Sequence, residues 1–310
     1  CWPCGSFLTP FRKLNEKSQN YILDVWRKAG FTMMKPFLPP NVLNRYGFRS
    51  FQSIPLINHP GSLFPGGREY LSAHPEARAV TMNNKKLNNC FCPTYFLRRE
   101  NKHLEEVRKW LKDAALKYNM LNWDYEVSVT RPSSICFCER CLNAFRKYAG
   151  ISSDITLSPQ IILDKYKKEW IDFRCYQNAE IAHFFRDTIK EANPHCLFSV
   201  YSGYQSETTA ERYGVNWKYM AKYTDVVMCG YGRPLQMIND THKIINRRPF
   251  NGGELAWYGT HPYNNSIAKT SLFRRLTDSG FGIMTYFNWI VDGRFYYAVS
   301  KIASIIADFE

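Results

Sequence analysis

The feature that most constrains this chain is the regular alternation of short apolar runs with amphipathic helical stretches along its whole length. FTMMKPFL (31–38), FQSIPLIN (51–58), MLNWDYE (120–126), CLFSVYSG (196–203), DVVMCGYG (225–232), PFNGGELAWYG (249–259) and GFGIMTYFNW (280–289) read as strands. Helical patterns lie between them: from Glu16 to Ala29, closed by Gly30, from about Phe96 to Tyr118, and from Pro159 to Ala192. Others cover 215–223, the stretch near 267–279, and the C-terminal residues from about Arg294. Strands alternating with helices predict a parallel sheet wrapped by helices. Seven strands follow the first helix, so CWPC (1–4) is read as strand 1, truncated or irregular. The expected fold is an α/β structure, a (β/α)8 TIM barrel occupying residues 1–310 as one domain, because such barrels use about 250 residues. A doubly wound open sheet is the alternative. No glycine-rich phosphate loop follows any strand, which counts against its nucleotide-binding form.

The chain begins at Cys1 without Met and stops inside an apolar helical pattern, IASIIADFE, so it is expected to be part of a longer protein. The segment from Cys1 lacks the basic region and apolar stretch of a signal peptide. No apolar run reaches the roughly 18 residues of a membrane span. Net charge is +14, which raises a nucleic-acid partner. The Lys and Arg residues, however, are scattered over predicted helices (Arg108, Lys109, Lys112, Lys165, Lys167, Lys168) and form no dense run. That is the pattern of solvated outer helix faces. Aromatic residues at 16% are more informative. Sugar-binding clefts use ring faces to cover the C–H patches of pyranoses, so carbohydrate is the expected partner.

In a (β/α)8 barrel the site lies at the C-terminal ends of the strands. Those ends carry Asp124 and Glu126, Tyr201, Tyr231, Glu254, and Asn288 with Trp289; Trp257 follows Glu254 closely. Residues i and i+2 of a strand share a side, which puts Asp124 and Glu126 together. Glycoside hydrolysis needs one carboxyl to protonate the leaving oxygen and another to attack or to steer water. Glu126 and Glu254, across the mouth from one another, suit those roles. Their aromatic contexts, NWDYEV and GGELAWYG, make a carboxylate costly without a purpose. Asp124 either takes part or orients a neighbour. The aromatic and amide residues Tyr201, Tyr231, Trp257, Asn288 and Trp289 are the expected substrate contacts. Among the histidines, His59 and His74 read as loop residues, and His261 is the one nearest a strand-end carboxyl.

Ten cysteines in a chain this long do not make a disulfide scaffold. Cys136, Cys138 and Cys141 stand at C-x-C-x2-C spacing, with Cys90 and Cys92 upstream. Three thiolates so spaced converge on one ion, and a fourth closes a tetrahedral structural zinc site with no position left for water. Spacing leaves open whether Cys90 or Cys92 is that fourth ligand. Cys1, Cys4, Cys175, Cys196 and Cys229 read as small apolar residues. No organic cofactor is expected.

From about residue 55 to 190 the chain resembles the family 42 glycoside hydrolases, the β-galactosidases of clan A. HPEARAV (74–80) is similar to that family's loop after strand 3. Cys92-Pro93-Thr94, or Cys90 just before it, stands where the family places its first zinc-ligand cysteine. Cys136, Cys138 and Cys141 match its C-x-C-x2-C, followed as there by an apolar helix, LNAFRKY. The resemblance implies a β-galactosidase-like glycosidase with its acid/base at Glu126 and its nucleophile at Glu254. It further implies that Tyr231 and Trp289 support the nucleophile and the sugar. One departure matters: the family has Asn-Glu on strand 4, where this chain has Tyr125-Glu126. Its Asp-x-Glu is similar instead to the motif of family 18 chitinases, in which the substrate's acetamido group replaces the nucleophile. Three readings follow: a retaining glycosidase using Glu126 and Glu254, a substrate-assisted N-acetylhexosaminidase-like enzyme using Asp124 and Glu126, and a non-catalytic carbohydrate-binding barrel.

Overall fold

The computed structural model describes residues 3–4, 11, 13–35, 38–57, 63–125, 131, 134–230, 235–246, 250–255, 282–286 and 293–308. Its main sheet contains β1 (Pro3–Cys4), β2 (Met33–Met34) and β3 (Arg49–Ser53). A separate antiparallel pair, β4 (Arg78–Val80) and β5 (Lys86–Phe91), follows. The main sheet resumes with β6 (Met120–Asp124), β7 (Leu197–Ser202), β8 (Val226–Cys229), β9 (Phe250–Leu255) and β10 (Gly282–Tyr286). The eight strands run in the order β1-β10-β9-β8-β7-β6-β3-β2, every ladder parallel. The two end strands of that order, β1 and β2, approach one another, so the sheet curls round on itself.

The connections are helical. Before the hairpin come α1 (Glu16–Lys28), α2 (Pro40–Arg45) and α3 (Gly67–Ala73). Between β5 and β6 lie α4 (Pro93–Phe96) and α5 (His103–Lys117); between β6 and β7 lie α6 (Glu139–Ala149), α7 (Pro159–Lys165) and α8 (Lys167–Ala192). The last are α9 (Glu207–Tyr213), α10 (Trp217–Met220), α11 (Leu235–Ile245) and α12 (Gly293–Ala307). Parallel strands need such crossovers, and these cover the outside of the sheet.

Local chemistry sets several boundaries. Asn15 starts α1 by accepting the Ser18 N–H at 2.9 Å, and Ser158 starts α7 by accepting that of Ile161 at 3.2 Å, with Pro159 at the first helical position. The helix expected over 159–192 is two helices, because Tyr166 leaves helical geometry at φ −130°, ψ 22°. HPEARAV, expected as part of a long loop, forms a 3-10 turn (Pro75–Ala77) and then β4. Arg78 fixes it there, donating to the Leu71 carbonyl at 2.7 Å and to Asn88 at 2.8 Å. Lys109, Lys165, Lys167 and Lys168 are exposed, as the scattered charge pattern anticipated.

The sheet has two differently filled faces. Met33, Phe51, Met120, Tyr201, Val226 and Met228 pack together on its inner side. On the outer side Leu121, Trp123, Tyr125, Phe198, Val200 and Val227 join the large core beneath the helices. Helix α8 carries much of that core: its Phe185 meets Trp123 edge-to-face at 5.1 Å, and its Trp170 stacks on Phe137 at 5.0 Å.

The last helix packs onto the first. Trp26 of α1 donates its indole N–H to the Tyr296 hydroxyl at 2.9 Å, and Tyr296 meets Phe31 edge-to-face. Gly30 sits in this contact at φ +85°, where an added Cβ would lie 2.1 Å from the Ala303 Cβ. Gly30→Ala therefore combines left-handed strain with a collision and is expected to cost about 2–4 kcal/mol. Gly150→Ala, at φ +64° with open space around it, should cost only about 1 kcal/mol. Denaturant unfolding of the two variants checks this; equal losses would rule out the packing contribution at Gly30.

Candidate functional site

Two sites are built on this frame, one at the C-terminal end of β6 and the other where α4 meets the start of α6. Period-2 alternation along β6 places Met120, Asn122 and Asp124 inward and Leu121, Trp123 and Tyr125 outward. Asn122 is buried and accepts the Ser199 hydroxyl of β7 at 2.8 Å. Tyr125 is anchored from the helix side, its hydroxyl donating to Asn178 of α8 at 3.1 Å, while Asn178 donates to the Gly214 carbonyl at 2.8 Å. The last inward residue of the strand is Asp124, level with Tyr201 of β7. Its side chain is exposed to solvent at the end of the strand, with protein packed around it. Desolvation pushes its pKa up to about 6, and the positive charge of Lys35 opposes that shift. Lys35 follows β2 and is exposed. It was not singled out from the sequence, though a lysine two residues after the inward Met33 is where alternation places a rim residue.

Tyr201, expected as a substrate contact, is buried in the inner apolar layer. Glu254 stands on β9, level with Thr285 of β10. Glu126, Tyr231, Trp257, Asn288 and Trp289 lie outside the described residues, as do His59 and His261 and the helix expected near 267–279.

The second site is the cysteine cluster. Cys92 is the N-cap residue of α4, Cys138 that of α6, and Cys141 lies in the first turn of α6. Cys136 precedes them in a segment tied to the hairpin: Ile135 bridges Thr81, the Phe137 N–H donates to the Val80 carbonyl at 2.9 Å, and the Val80 N–H points at the Cys136 sulfur at 3.2 Å. The sulfurs of Cys92, Cys136, Cys138 and Cys141 all lie within 4.8 Å of one another. Cys92 is 3.5 Å from both Cys138 and Cys141, and all four are free thiols. A tetrahedral ion with metal–sulfur bonds of about 2.3 Å sets its sulfurs about 3.8 Å apart, so the spacing fits such an ion and is far too long for disulfides.

Of the two upstream cysteines, Cys92 joins the cluster and Cys90 does not. Cys90 lies on β5, one strand repeat back from the cluster, roughly 6–7 Å away along the chain. It is buried in the core, where desolvation pushes its thiol up to about 12. Within the cluster, neighbouring sulfurs hold the pKa of Cys138 far below the usual thiol range and push those of Cys92 and Cys136 up. The N-terminus of α6 favours negative charge on Cys138.

The surroundings are polar and cationic. The Thr94 hydroxyl is 3.0 Å from the Cys141 sulfur and accepts the Gln177 amide at 2.7 Å. Arg174 of α8, almost fully buried, approaches Cys141 at 3.9 Å, and the charge of Arg140 lies near the sulfurs of Cys92, Cys138 and Cys141. Cys175, Cys196 and Cys229 are buried apart from the cluster, as small apolar residues. Among the described residues no helix is long and apolar enough to cross a membrane.

No family model matches the chain, and no curated protein matches it. Solved structures do share its fold. The β-galactosidase of the psychrophilic Marinomonas ef1 superposes with a TM-score of 0.63 at 10% identity, covering 99% of this chain and 60% of its own. Gan42B, a family 42 β-galactosidase of G. stearothermophilus, gives 0.65 at 13% identity, covering 99% and 56%. The β-galactosidase of Bacillus circulans sp. alkalophilus gives 0.62 at 11%, again covering 99% and 56%. The chain thus has the fold of family 42 β-galactosidases over nearly its whole length and spans somewhat more than half the length of those enzymes.

Proposed function

We propose that the chain is the catalytic (β/α)8 barrel of a glycoside hydrolase that acts on an oligo- or polysaccharide by a retaining double displacement. The observation that carries this reading is the inner rim of β6. Asp124 is the last inward residue of that strand, and in this reading Glu126, two positions on, joins it as the catalytic carboxyl. In this reading Glu126 protonates the leaving glycosidic oxygen and then draws the proton from the attacking water. Glu254, near the C-terminal end of β9, attacks the anomeric carbon. Tyr231 donates a hydrogen bond to the nucleophile, while Trp257, Trp289 and Asn288 hold the sugar. Aryl glycosides, β-galactosides first, test the proposal; a folded protein that binds sugar without hydrolysing any of them would favour a binding barrel.

Cys92, Cys136, Cys138 and Cys141 fit a structural Zn²⁺ by number, softness and spacing. Bound there, the ion supplies cross-linking of the segments around β4, α4 and α6. With four protein ligands it leaves no open position for water, so turnover belongs to the rim carboxyls.

One observation favours the substrate-assisted alternative, in which Asp124 orients an acetamido group: Asp124 is an inward strand-end carboxyl whose pKa the surrounding protein raises. The sign of its pH dependence follows. Folding raises this pKa, so the folded state holds the proton more tightly, and ionising Asp124 costs stability that appears as pH rises from about 4 through about 6. Asp124→Asn is therefore expected to match the wild type in stability near pH 3 and to exceed it above pH 6. Melting curves across that range check this, and a constant difference would contradict it. If Asp124→Asn also destroyed activity while Glu254→Ala spared it, the substrate-assisted reading would replace the retaining one.

A further inference from the structure

The thiol cluster lies beside two cations, the buried Arg174 and the half-buried Arg140, whose charge also reaches Glu76 and Glu100. Arg174 is 4% exposed, deep in the packing between α8 and α6. Its guanidinium lies 3.9 Å from the Cys141 sulfur, 5.8 Å from the centre of the Trp170 ring, and donates to the Gln177 side-chain carbonyl. Arg140 is half-buried, 5.2 Å from the centre of the Tyr95 ring, and donates to the Glu76 backbone carbonyl. Its Nε is fully shielded and has no hydrogen-bond partner. Among the described residues no carboxylate lies within ion-pair distance of either guanidinium. Burying an arginine without an opposing charge is strongly unfavourable, so the packing of Arg174 requires an anion beside it. The group in contact with it is Cys141.

We propose that Arg174 and Arg140 are the fixed counter-charges of the thiolate centre, matching its charge when a divalent ion is bound. Four thiolates around a divalent cation leave two negative charges, and two guanidiniums cancel them. The polar shell adds orientation: Gln177 links Arg174 to Thr94, and Thr94 touches Cys141, so α8 holds the ligand from α6 through two contacts. Outer groups of this kind tune a metal site although they never touch the ion. The inference rests on the reading of the cluster as a divalent-metal centre and adds the residues that set its affinity.

The test uses the full chain loaded with Co²⁺, whose thiolate-to-metal absorption reports the ligand set, and a chelator competition that gives affinity for Co²⁺ and Zn²⁺. Arg174→Met should weaken both ions about 10–100-fold with the absorption bands in place, and Arg140→Gln should weaken them less. Arg174→Lys, which keeps the charge, should recover most of the affinity. A merely structural role would lower the melting temperature of loaded and metal-free protein alike; here the loaded form should lose stability and the metal-free form should not. Unchanged affinity in both variants, or equal losses in the two forms, overturns the proposal. Should Arg174→Met not fold, Arg140→Gln decides alone, and wild-type affinity there overturns it. Wild-type protein that takes up neither ion overturns the metal reading as well, whereas wild-type binding with indifferent variants overturns only this inference.

Discussion

Glu254→Ala is expected to lower turnover of an activated aryl glycoside by several orders of magnitude and to leave the fold intact. Glu254 stands in β9 level with Thr285 of β10, near the end of the strand that the sequence places across the mouth from Glu126. A retaining glycosidase without its nucleophile cannot form the glycosyl-enzyme, and a small anion can occupy the vacated space. Azide should therefore restore part of the rate and yield a glycosyl azide of inverted configuration. Glu126→Ala should behave differently. It should spare substrates whose leaving group departs without a proton and cripple those that need one, because it removes only the general acid and base. The two carboxyls should lie roughly 5–5.5 Å apart. Equal losses on good and poor leaving groups for Glu126→Ala would contradict the assignment.

The second large effect concerns the thiol centre. Removing the ion with a chelator, or replacing Cys141 with Ala, should lower the melting temperature by about 10 °C or more, corresponding to several kcal/mol. The reason lies in what the four ligands join. Cys92 follows β5, Cys136 is hydrogen-bonded to β4, and Cys138 and Cys141 begin α6. Two segments more than forty residues apart in sequence meet there, and an ion that binds only the folded arrangement stabilises it by its whole affinity. Cys90→Ala, at a buried position outside the cluster, should leave metal content unchanged and lower stability only as a small core truncation does. Well below the melting transition the stripped protein should turn over substrate within about twofold of the loaded one, because a closed four-ligand site offers no catalytic position. Zinc content near one per chain, lost together with thermal stability, checks the account. A stripped protein that melts like the loaded one would contradict it.

What was legible in the sequence follows from which forces are local. Strands β6, β7 and β8 stood out as short apolar runs because both faces of a parallel strand are covered. The boundary at Gly30 was readable because a left-handed residue closes the helix there. The hairpin β4–β5 was missed: KKLNNCF is polar on one face, and its place depends on the bridge from Thr81 to Ile135, more than fifty residues away. The break at Tyr166 was hidden because apolar periodicity runs on through it.

The same division holds for the sites. C-x-C-x2-C is a local pattern, so three ligands were readable, while the choice between Cys92 and Cys90 needed the turn that carries Cys92 to α6. Arg174 looked like one more charge on a long helix, since spacing does not say what a helix faces. Asp124 and its strand-end position were visible from alternation. Lys35, which shares its electrostatics, comes from a strand ninety residues earlier and could be recognised only once the sheet had curled.

The central claim is that a rim carboxylate of β9 becomes covalently glycosylated during turnover. A 2-deoxy-2-fluoro glycoside with an activated leaving group slows the second step and traps that intermediate. Peptide mapping by mass spectrometry then identifies the labelled residue. The account predicts stoichiometric inactivation with the label on Glu254. A label on any other residue, or turnover of the parent glycoside with inversion and no label at all, would contradict it.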